Sequence, residues 1–161
     1  MASTLTVDNI EGATASNTVH IPGHVIQVVT GTTTAQATTT GQGIVDTGLS
    51  VNITPTSNTS KVYVTTSFNG GTDNAGAGGV FYIFRDSTQI MMQGSDYTSA
   101  GGSSYGGHAL IILDSPATTS QITYKLRFEN QSAGSYTARF NTDYGNVTGE
   151  IATITAMEIA Q

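Results

Sequence analysis

The segment from residue 122 to 129 alternates between apolar and polar side chains at every step. Its apolar members are Ile122, Tyr124, Leu126 and Phe128, and its polar members are Thr123, Lys125, Arg127 and Glu129. Successive side chains of a β-strand point to opposite faces, so a period of two places each set on a face of its own. The pattern therefore predicts a half-buried β-strand.

A second alternating segment follows a turn-like stretch at residues 130–135. Its apolar members are Tyr136, Ala138 and Phe140, and its polar members are Thr137, Arg139 and Asn141. Two alternating runs joined by a short polar stretch that contains glycine are typical of a β-hairpin. Residues 121–141 are accordingly predicted to form a hairpin with one apolar face.

The composition favours strands and turns over the whole chain. Charged residues make up 10% of the 161 residues, against about 25% in typical soluble domains. Threonine suits strands, glycine, asparagine and serine suit turns, and the charged helix formers are scarce. About eight to ten short strands, spaced by roughly 8–12 residues, indicate an all-β protein built as an antiparallel sandwich or barrel. The length is sufficient for one domain.

Charge and cysteine content exclude several classes of function. The net charge is −6 and the five basic residues are scattered, which argues against nucleic-acid binding because that needs clusters of lysine and arginine. Cysteine is absent, so neither a disulfide nor a thiolate metal site is expected. No segment has the length for membrane insertion or the form of a signal peptide. We expect no cofactor. We also expect that the protein is synthesised in a cytoplasm.

The first 24 residues differ from the remainder, which we take as one sandwich domain over residues 25–161. This stretch contains two short apolar pieces separated by a polar turn and ended by Pro22-Gly23. Such pieces cannot form a core, so we expect them to anchor the protein to a partner surface; the alternative is an unpacked tail. The residues expected to anchor are Leu5, Val7, Ile10, Val19 and Ile21.

Several strands are apolar on both faces, which predicts an oligomer. They are residues 80–84, 110–113 and 151–159. A strand of a sandwich normally exposes one face to water, so a second apolar face requires cover from a partner copy or from loops of the same chain. We expect a homotrimer, with an interface that contains Phe81, Ile83, Ile111, Ile154 and Met157.

The candidates for chemistry are few. His20 and His24 flank Ile-Pro-Gly and form a possible metal pair, although hydrogen-bonding histidines at a docking joint are the simpler interpretation. His108 begins an apolar strand, and no Gly-x-Ser-x-Gly motif accompanies it, so a hydrolase has least support. The loop carboxylates Asp73, Asp96 and Asp143 lack calcium-loop spacing. We predict no catalytic residue and no metal.

The segment from residue 94 to 107 is rich in glycine, serine and tyrosine. Binding loops use this mixture, because tyrosine provides rigid contact area while serine and glycine adapt around it. The candidate ligand contacts are Asp96, Tyr97, Ser103 and Tyr105. The alternative is a flexible connection between two strands.

Ordered fragments along nearly the whole chain resemble a known group of domains. The fragments are residues 3–10, 45–49, 52–55, 60–64, 84–88, 113–119, 123–125 and 153–159. Together they are similar to the jelly-roll domain common in virion structural proteins of marine tailed bacteriophages. The resemblance implies an antiparallel jelly-roll β-sandwich, trimeric and similar in outline to tumour-necrosis-factor-like heads, on the virion surface.

Members of that group are usually tail fibres or other structural proteins. Fibre proteins carry a long shaft before such a head, whereas about two dozen residues precede the first strand here. The resemblance therefore favours a short trimer that decorates or cements the capsid, with the major capsid protein or another virion protein as its partner. The alternative is a tail-fibre tip or receptor-binding module that contacts host-surface glycan through the segments 94–107 and 69–78.

Overall fold

The computed structural model describes residues 21–73, 78–94, 102–132, 136–142 and 150–161. Within these ranges the chain forms β-strands and no helix. The strands are β1 (Val25–Thr33), β2 (Ala37–Thr39), β3 (Val45–Ile53), β4 (Lys61–Thr72), β5 (Gly79–Arg85), β6 (Thr88–Gly94), β7 (Ser104–His108), β8 (Ile111–Asp114), β9 (Ile122–Asn130), β10 (Ala138–Phe140) and β11 (Ala152–Ile159).

The strands form two sheets, in which all pairings are antiparallel. The large sheet is organised around the long strand β4. On one side of β4, β11 pairs with residues 61–67 and β10 with residues 70–72; on the other side, β8 pairs with residues 62–65 and β7 with residues 68–72. Strand β1 extends the sheet beyond β11, and β2 extends it beyond β10. The small sheet has the order β3-β9-β5-β6.

The connectivity is that of a jelly roll. Because β1 and β2, β7 and β8, and β10 and β11 are each two pieces of one interrupted strand line, every sheet has four lines. In chain order the lines lie alternately in the large and the small sheet, except that β5 and β6 are neighbours in the small sheet. Eight strand lines that wrap in this way around one core form a jelly-roll sandwich. The predicted all-β antiparallel sandwich is confirmed.

The core lies between the two sheets and includes the alternating residues of β9. Ile122, Tyr124, Leu126 and Phe128 are all buried. Four phenylalanines pack at one end of the core, with centroid separations of 4.7 Å for Phe68–Phe81 and 6.0 Å for Phe81–Phe128. The members of the core are Leu49, Val51, Ile53, Val62, Val64, Phe68, Phe81, Ile83, Leu110, Ile122, Tyr124, Leu126, Phe128, Ala138, Phe140, Ala152, Ile154 and Ala156.

The predicted hairpin of residues 121–141 is wrong. Strand β9 lies in the small sheet between β3 and β5, whereas β10 lies in the large sheet between β2 and β4. The inward faces agree with the alternation, because Ala138 and Phe140 are buried. A period of two determines which side chains point inward, but it contains no information on the strand that pairs with them.

Three of the residues predicted to lie in an oligomer interface are buried within their own chain. The inward residues Phe81 and Ile83 of β5 lie in the core, as does Ile154 of β11. Their own chain covers all three side chains, so they have no surface to offer to a neighbouring copy. The outward residues Val80, Tyr82 and Phe84 are also at most 7% exposed. The second apolar face of β5 is therefore covered within the chain, the alternative that sequence reasoning left open.

No helix long and apolar enough to cross a membrane occurs among the described residues.

Candidate functional site

The outer surface of the large sheet carries a continuous row of apolar side chains. In the strand register, Val28 of β1 is opposite Met157 of β11, Met157 is opposite Tyr63 of β4, and Tyr63 is opposite Leu113 of β8. Directly opposed residues share one face of a sheet. Val28 is 54% exposed and Leu113 is 50% exposed, while Met157 and Tyr63 are half-buried. The row therefore crosses all four strand lines on the solvent side.

Two neighbouring rows extend this surface. On one side, Val25 is opposite Ile159, and Ile159 is opposite Lys61. On the other side lies a row of hydroxyls that ends at an exposed isoleucine. Its members are Thr30, Thr155, Thr65 and Ile111. We call these three rows the apolar face.

The polar groups of the apolar face are three threonine hydroxyls, the Tyr63 hydroxyl and the Lys61 ammonium group. The hydroxyls of Thr30 and Thr155 hydrogen-bond to each other at 3.0 Å. Lys61 is the one charged residue in the three rows. Soluble proteins rarely leave large contiguous apolar patches in contact with water, and such patches mark interaction sites. The apolar face is therefore the first candidate functional surface.

The sequence revealed part of the apolar face. Ile111 and Met157 were expected in an interface, and both lie on this face. Sequence reasoning missed Val28 and Tyr63, whereas Leu113 belongs to the segment 110–113 that was predicted to be apolar on both faces. What distinguishes them is the cross-strand register, which brings residues from four distant segments into one row.

A second candidate surface lies where strands β4, β7 and β10 meet, and we call it the loop end. Asp73 accepts hydrogen bonds from Arg139 at 3.3 Å (Nε) and 2.8 Å (Nη2), and from the backbone N–H of Thr137 at 3.1 Å. The Ser103 hydroxyl donates to the Asp73 carbonyl at 3.2 Å. Arg139 and Tyr105 lie opposite Gly71 on the two strands that flank it. The loop end thus unites two of the predicted ligand residues with an ion pair.

Gly71 sets the spacing of the strands at the loop end. It lies in the register between Arg139 of β10 and Tyr105 of β7. A Cβ atom on Gly71 would collide with the backbone carbonyl of Ser104, so no other residue fits without displacement of β7. Glycine at this position therefore allows β7 to approach β4 closely.

Charge at the loop end is held in place by local contacts. Burial raises the pKa of Tyr105, as does the nearby Asp73 carboxylate, whereas Arg139 lowers it. The hydrogen bond to Asp73 raises the pKa of Arg139. The phenol is therefore neutral and the guanidinium charged at physiological pH, which gives an aromatic hydrogen-bonding group beside a fixed cation.

The histidines are not arranged for catalysis within the described residues. The His108 ring stacks on Phe68 at 5.5 Å and its Nε2 atom lies 3.2 Å from the Gly70 carbonyl. His24 is exposed, and its backbone carbonyl accepts from Ala160 N at 2.9 Å. Among the described residues, no group of three or more His, Cys, Asp or Glu side chains could hold a metal ion.

Seven of the predicted site residues lie outside the described residues. They are Leu5, Val7, Ile10, Val19 and His20 of the N-terminal segment, and Asp96 and Tyr97 of the glycine-rich loop. The anchoring of residues 1–24 and the His20–His24 pair remain predictions. Ile21 is described and is 53% exposed.

The buried acidic group Glu158 serves the fold. Its carboxylate accepts from Gln27 Nε2 at 2.6 Å, and from the Thr56 backbone N–H and hydroxyl at 2.8 Å each. Burial alone would raise the pKa of Glu158, but these hydrogen bonds outweigh it and the pKa is lowered. The carboxylate is thus ionised and occupied by donors that fix the segment after β3.

A second acidic group, which is partly buried, also receives several hydrogen bonds. Asp114 accepts from Arg85 at 2.8 Å and 2.9 Å and from the Tyr124 hydroxyl at 2.7 Å. Burial and the bond to Asp114 raise the pKa of Tyr124 well above its usual value. A carboxylate that already receives three hydrogen bonds is positioned to join strands β5, β8 and β9 and not to transfer protons.

Two solved structures are similar to this chain at low sequence identity. No family model and no curated protein matches the chain. A structure of infectious bursal disease virus, Gt strain, has 15% sequence identity and a TM-score of 0.45, with 98% of this chain and 43% of that chain covered.

A crystal structure of the VP2 subviral particle of infectious bursal disease virus has 14% identity and a TM-score of 0.36, with the same two coverages of 98% and 43%. The chain thus spans less than half the length of these solved chains. The strand order of this chain identifies the jelly roll.

Proposed function

We propose that this protein is a non-enzymatic structural component of a virus particle, a homotrimeric jelly roll that decorates or cements a phage capsid. The apolar face is the observation that carries the proposal. The described residues form a core between the two sheets and still leave a row of large apolar side chains exposed on the outer surface of the large sheet. Such a protein functions by contact with other subunits.

The polar groups of the described residues support a role without catalysis. The carboxylates of Glu158 and Asp114 are each held by several donors, and the ring of His108 contacts phenylalanine and a backbone carbonyl. A catalytic centre needs reactive side chains that face an open space in which a substrate can bind. In this proposal the protein needs no cofactor, binds no nucleic acid and enters no membrane.

Particle stabilisation would come from buried contact area. The proposal assigns residues 1–24 to the major capsid protein or another virion protein, with the sandwich on the outer surface. Described residues 23–24 hydrogen-bond with Ala160, next to β1 and β11, so they lie at one end of the large sheet. This position allows an anchor to act without distortion of either sheet.

Deletion of residues 1–20 tests this role, because it keeps the Gly23–Ala160 hydrogen bond. We expect a folded, oligomeric protein that no longer joins particles when added to capsids that lack it. Tyr105→Ala, at the loop end, is the matched control and should join particles at wild-type occupancy. Full occupancy by the truncated protein would contradict the anchoring role.

A second candidate function is recognition of host-surface glycan at the loop end. Tyr105 beside the Asp73–Arg139 ion pair favours it, because an aromatic ring with adaptable polar neighbours is a common form of binding surface. Binding of purified protein to a glycan array, lost in Tyr105→Ala and retained in Leu113→Thr, would support this alternative. Absence of binding by the wild-type protein would reject it.

A further inference from the structure

We infer that the apolar face is the surface through which copies of this chain contact one another. The inference deepens the proposed function, on which it rests, by assigning a partner to this face. It differs from the interface expected from sequence, since Phe81, Ile83 and Ile154 belong to the core. The residues it assigns are Val25, Val28, Tyr63, Ile111, Leu113, Met157 and Ile159.

The chain does not supply its own cover for this face among the described residues. On the small sheet, long charged side chains lie over the outward apolar residues, as Arg127 does over the Phe84 ring at 4.9 Å. On the apolar face the corresponding neighbours are threonines and one lysine, Lys61. Ile111, Leu113 and Val28 therefore keep about half of their surface exposed.

Charge favours a second copy as the occupant. The chain has a net charge of −6, so two copies repel unless they meet where acidic groups are absent. None of the outward residues in the three rows is acidic; Glu158 and Asp114 of the same strands point inward, toward other partners. Each copy thus presents a surface without acidic groups, in which Lys61 is the one charged residue, whereas a basic partner would find no carboxylate to pair with.

The apolar face can form the centre of an interface between copies. Its three rows cover about five or six residues along four strand lines about 4.8 Å apart, which is roughly 300–400 Å² in projection. Stable interfaces bury about 800 Å² on each partner, so the three rows would be the apolar core of such an interface and the surrounding sheet its rim. The Thr30–Thr155 hydroxyl pair is already hydrogen-bonded at 3.0 Å, so burial of that row leaves few unpaired polar groups.

The order of the row suits three copies around an axis. Met157 and Tyr63 lie on the central strands β11 and β4, whereas Val28 and Leu113 lie on the flanking strands β1 and β8. If the three faces point toward the axis, the central pair meets at the axis and each flanking residue meets a neighbouring copy. A cyclic arrangement of this kind closes without further contacts.

The absence of cysteine provides a direct test, since a single cysteine can be placed on either outer surface. Leu113→Cys lies on the apolar face and Met92→Cys, at a residue 62% exposed, lies on the outer surface of the small sheet. In native protein at micromolar concentration, we expect maleimide to label the Leu113→Cys thiol at least about tenfold more slowly, because the thiol is reached only when copies separate. In urea, which unfolds the protein, maleimide should label the two thiols at the same rate.

Three further variants keep the test decisive. Met157→Lys should convert the sedimenting trimer to a folded monomer with an unchanged β-sheet dichroism spectrum, and Met92→Lys should remain a trimer. In Met157→Cys, oxidation should yield a cross-linked pair of chains.

The outcomes separate this inference from the virion role. A stable trimer in which Leu113→Cys labels as fast as Met92→Cys would overturn the assignment of the face and leave the trimer standing. A monomer in which Leu113→Cys becomes protected only after addition to particles would assign the face to the shell protein, and would overturn the second copy as occupant. Failure of the wild-type protein to bind particles would instead contradict the proposed function.

Discussion

The two outer surfaces of the sandwich differ in how they cover apolar side chains. On the small sheet, Tyr82 and Phe84 are outward and yet nearly buried, because Arg127 and Glu129 of the neighbouring strand lie against them. On the large sheet, the row that contains Leu113 and Val28 has no charged member, and both residues are about half exposed. An apolar outward residue therefore indicates a partner only where the next strand offers no side chain long enough to cover it.

The largest effect on the free energy of unfolding is expected from the inward-facing residue Phe81 of β5. Phe81→Ala should lower the free energy of unfolding by about 3–5 kcal/mol, because Phe81 packs between Phe68 and Phe128 and its loss leaves a cavity. Urea unfolding measures it, and Met92→Ala should change the same quantity by less than about 0.5 kcal/mol. A small effect of Phe81→Ala on the unfolding of a single copy would place Phe81 outside the core.

A smaller effect is expected where the large sheet buries a charge on its inner side. Glu158→Gln should cost about 1–3 kcal/mol, because the amide nitrogen faces donors of Gln27 or Thr56 and leaves them unpaired. Chemical unfolding at pH 7 measures this loss.

The pH dependence of the same group has a definite sign. Since the pKa of Glu158 is lowered below its usual 4.5, the stability it contributes is present above that value and is lost as pH falls through the folded pKa. The wild-type protein should therefore lose more stability than Glu158→Gln on acidification below about pH 5. An equal loss of stability in both proteins would show that other carboxyl groups control the loss of stability at low pH.

Removal of the cover on the small sheet should have an effect near 1 kcal/mol. Arg127→Ala exposes the Phe84 ring and removes a cation–π contact worth about 0.5–1 kcal/mol at an exposed site. The ion pair of Arg127 with Asp46 at 3.0 Å is solvent-exposed and adds little.

The same variant tests the comparison of the two surfaces. Arg127→Ala should expose a new apolar patch and increase binding of a hydrophobic dye, and Arg127→Lys should restore most of the cover. If Arg127→Ala leaves dye binding unchanged, Arg127 is not what covers the small sheet.

The smallest effect concerns the hydroxyl that Tyr82 donates to Glu129. Tyr82→Phe should cost about 1 kcal/mol at neutral pH. Burial, with Glu129, raises the pKa of Tyr82 from 10.0 to about 12. Folding therefore favours the protonated phenol, and this contribution is fully present below pH 10 and lost as pH rises toward 12. Tyr82→Phe should lack that part of the alkaline loss, which thermal unfolding over this range measures.

Particular residues show how far sequence reasoning reached. The alternation of Ile122 to Glu129 correctly predicted the inward face of β9, and the sandwich followed from many such segments. The predicted hairpin with residues 136–140 was wrong, since β10 pairs with β2 and β4. Ile111 and Met157 were recognised as surface candidates, but Val28 and Tyr63 were not, because their opposition is set by the strand register.

By itself, the sequence determined the class of structure and the inward side of most strands, because side-chain direction along a strand is a local property with a period of two. Only the tertiary structure decided which strands are neighbours, and therefore which outward residues are covered and which remain exposed. Those depend on contacts between segments as distant as Val28, Tyr63, Leu113 and Met157, and no local pattern encodes such contacts. The jelly-roll order and the apolar face arise at that level.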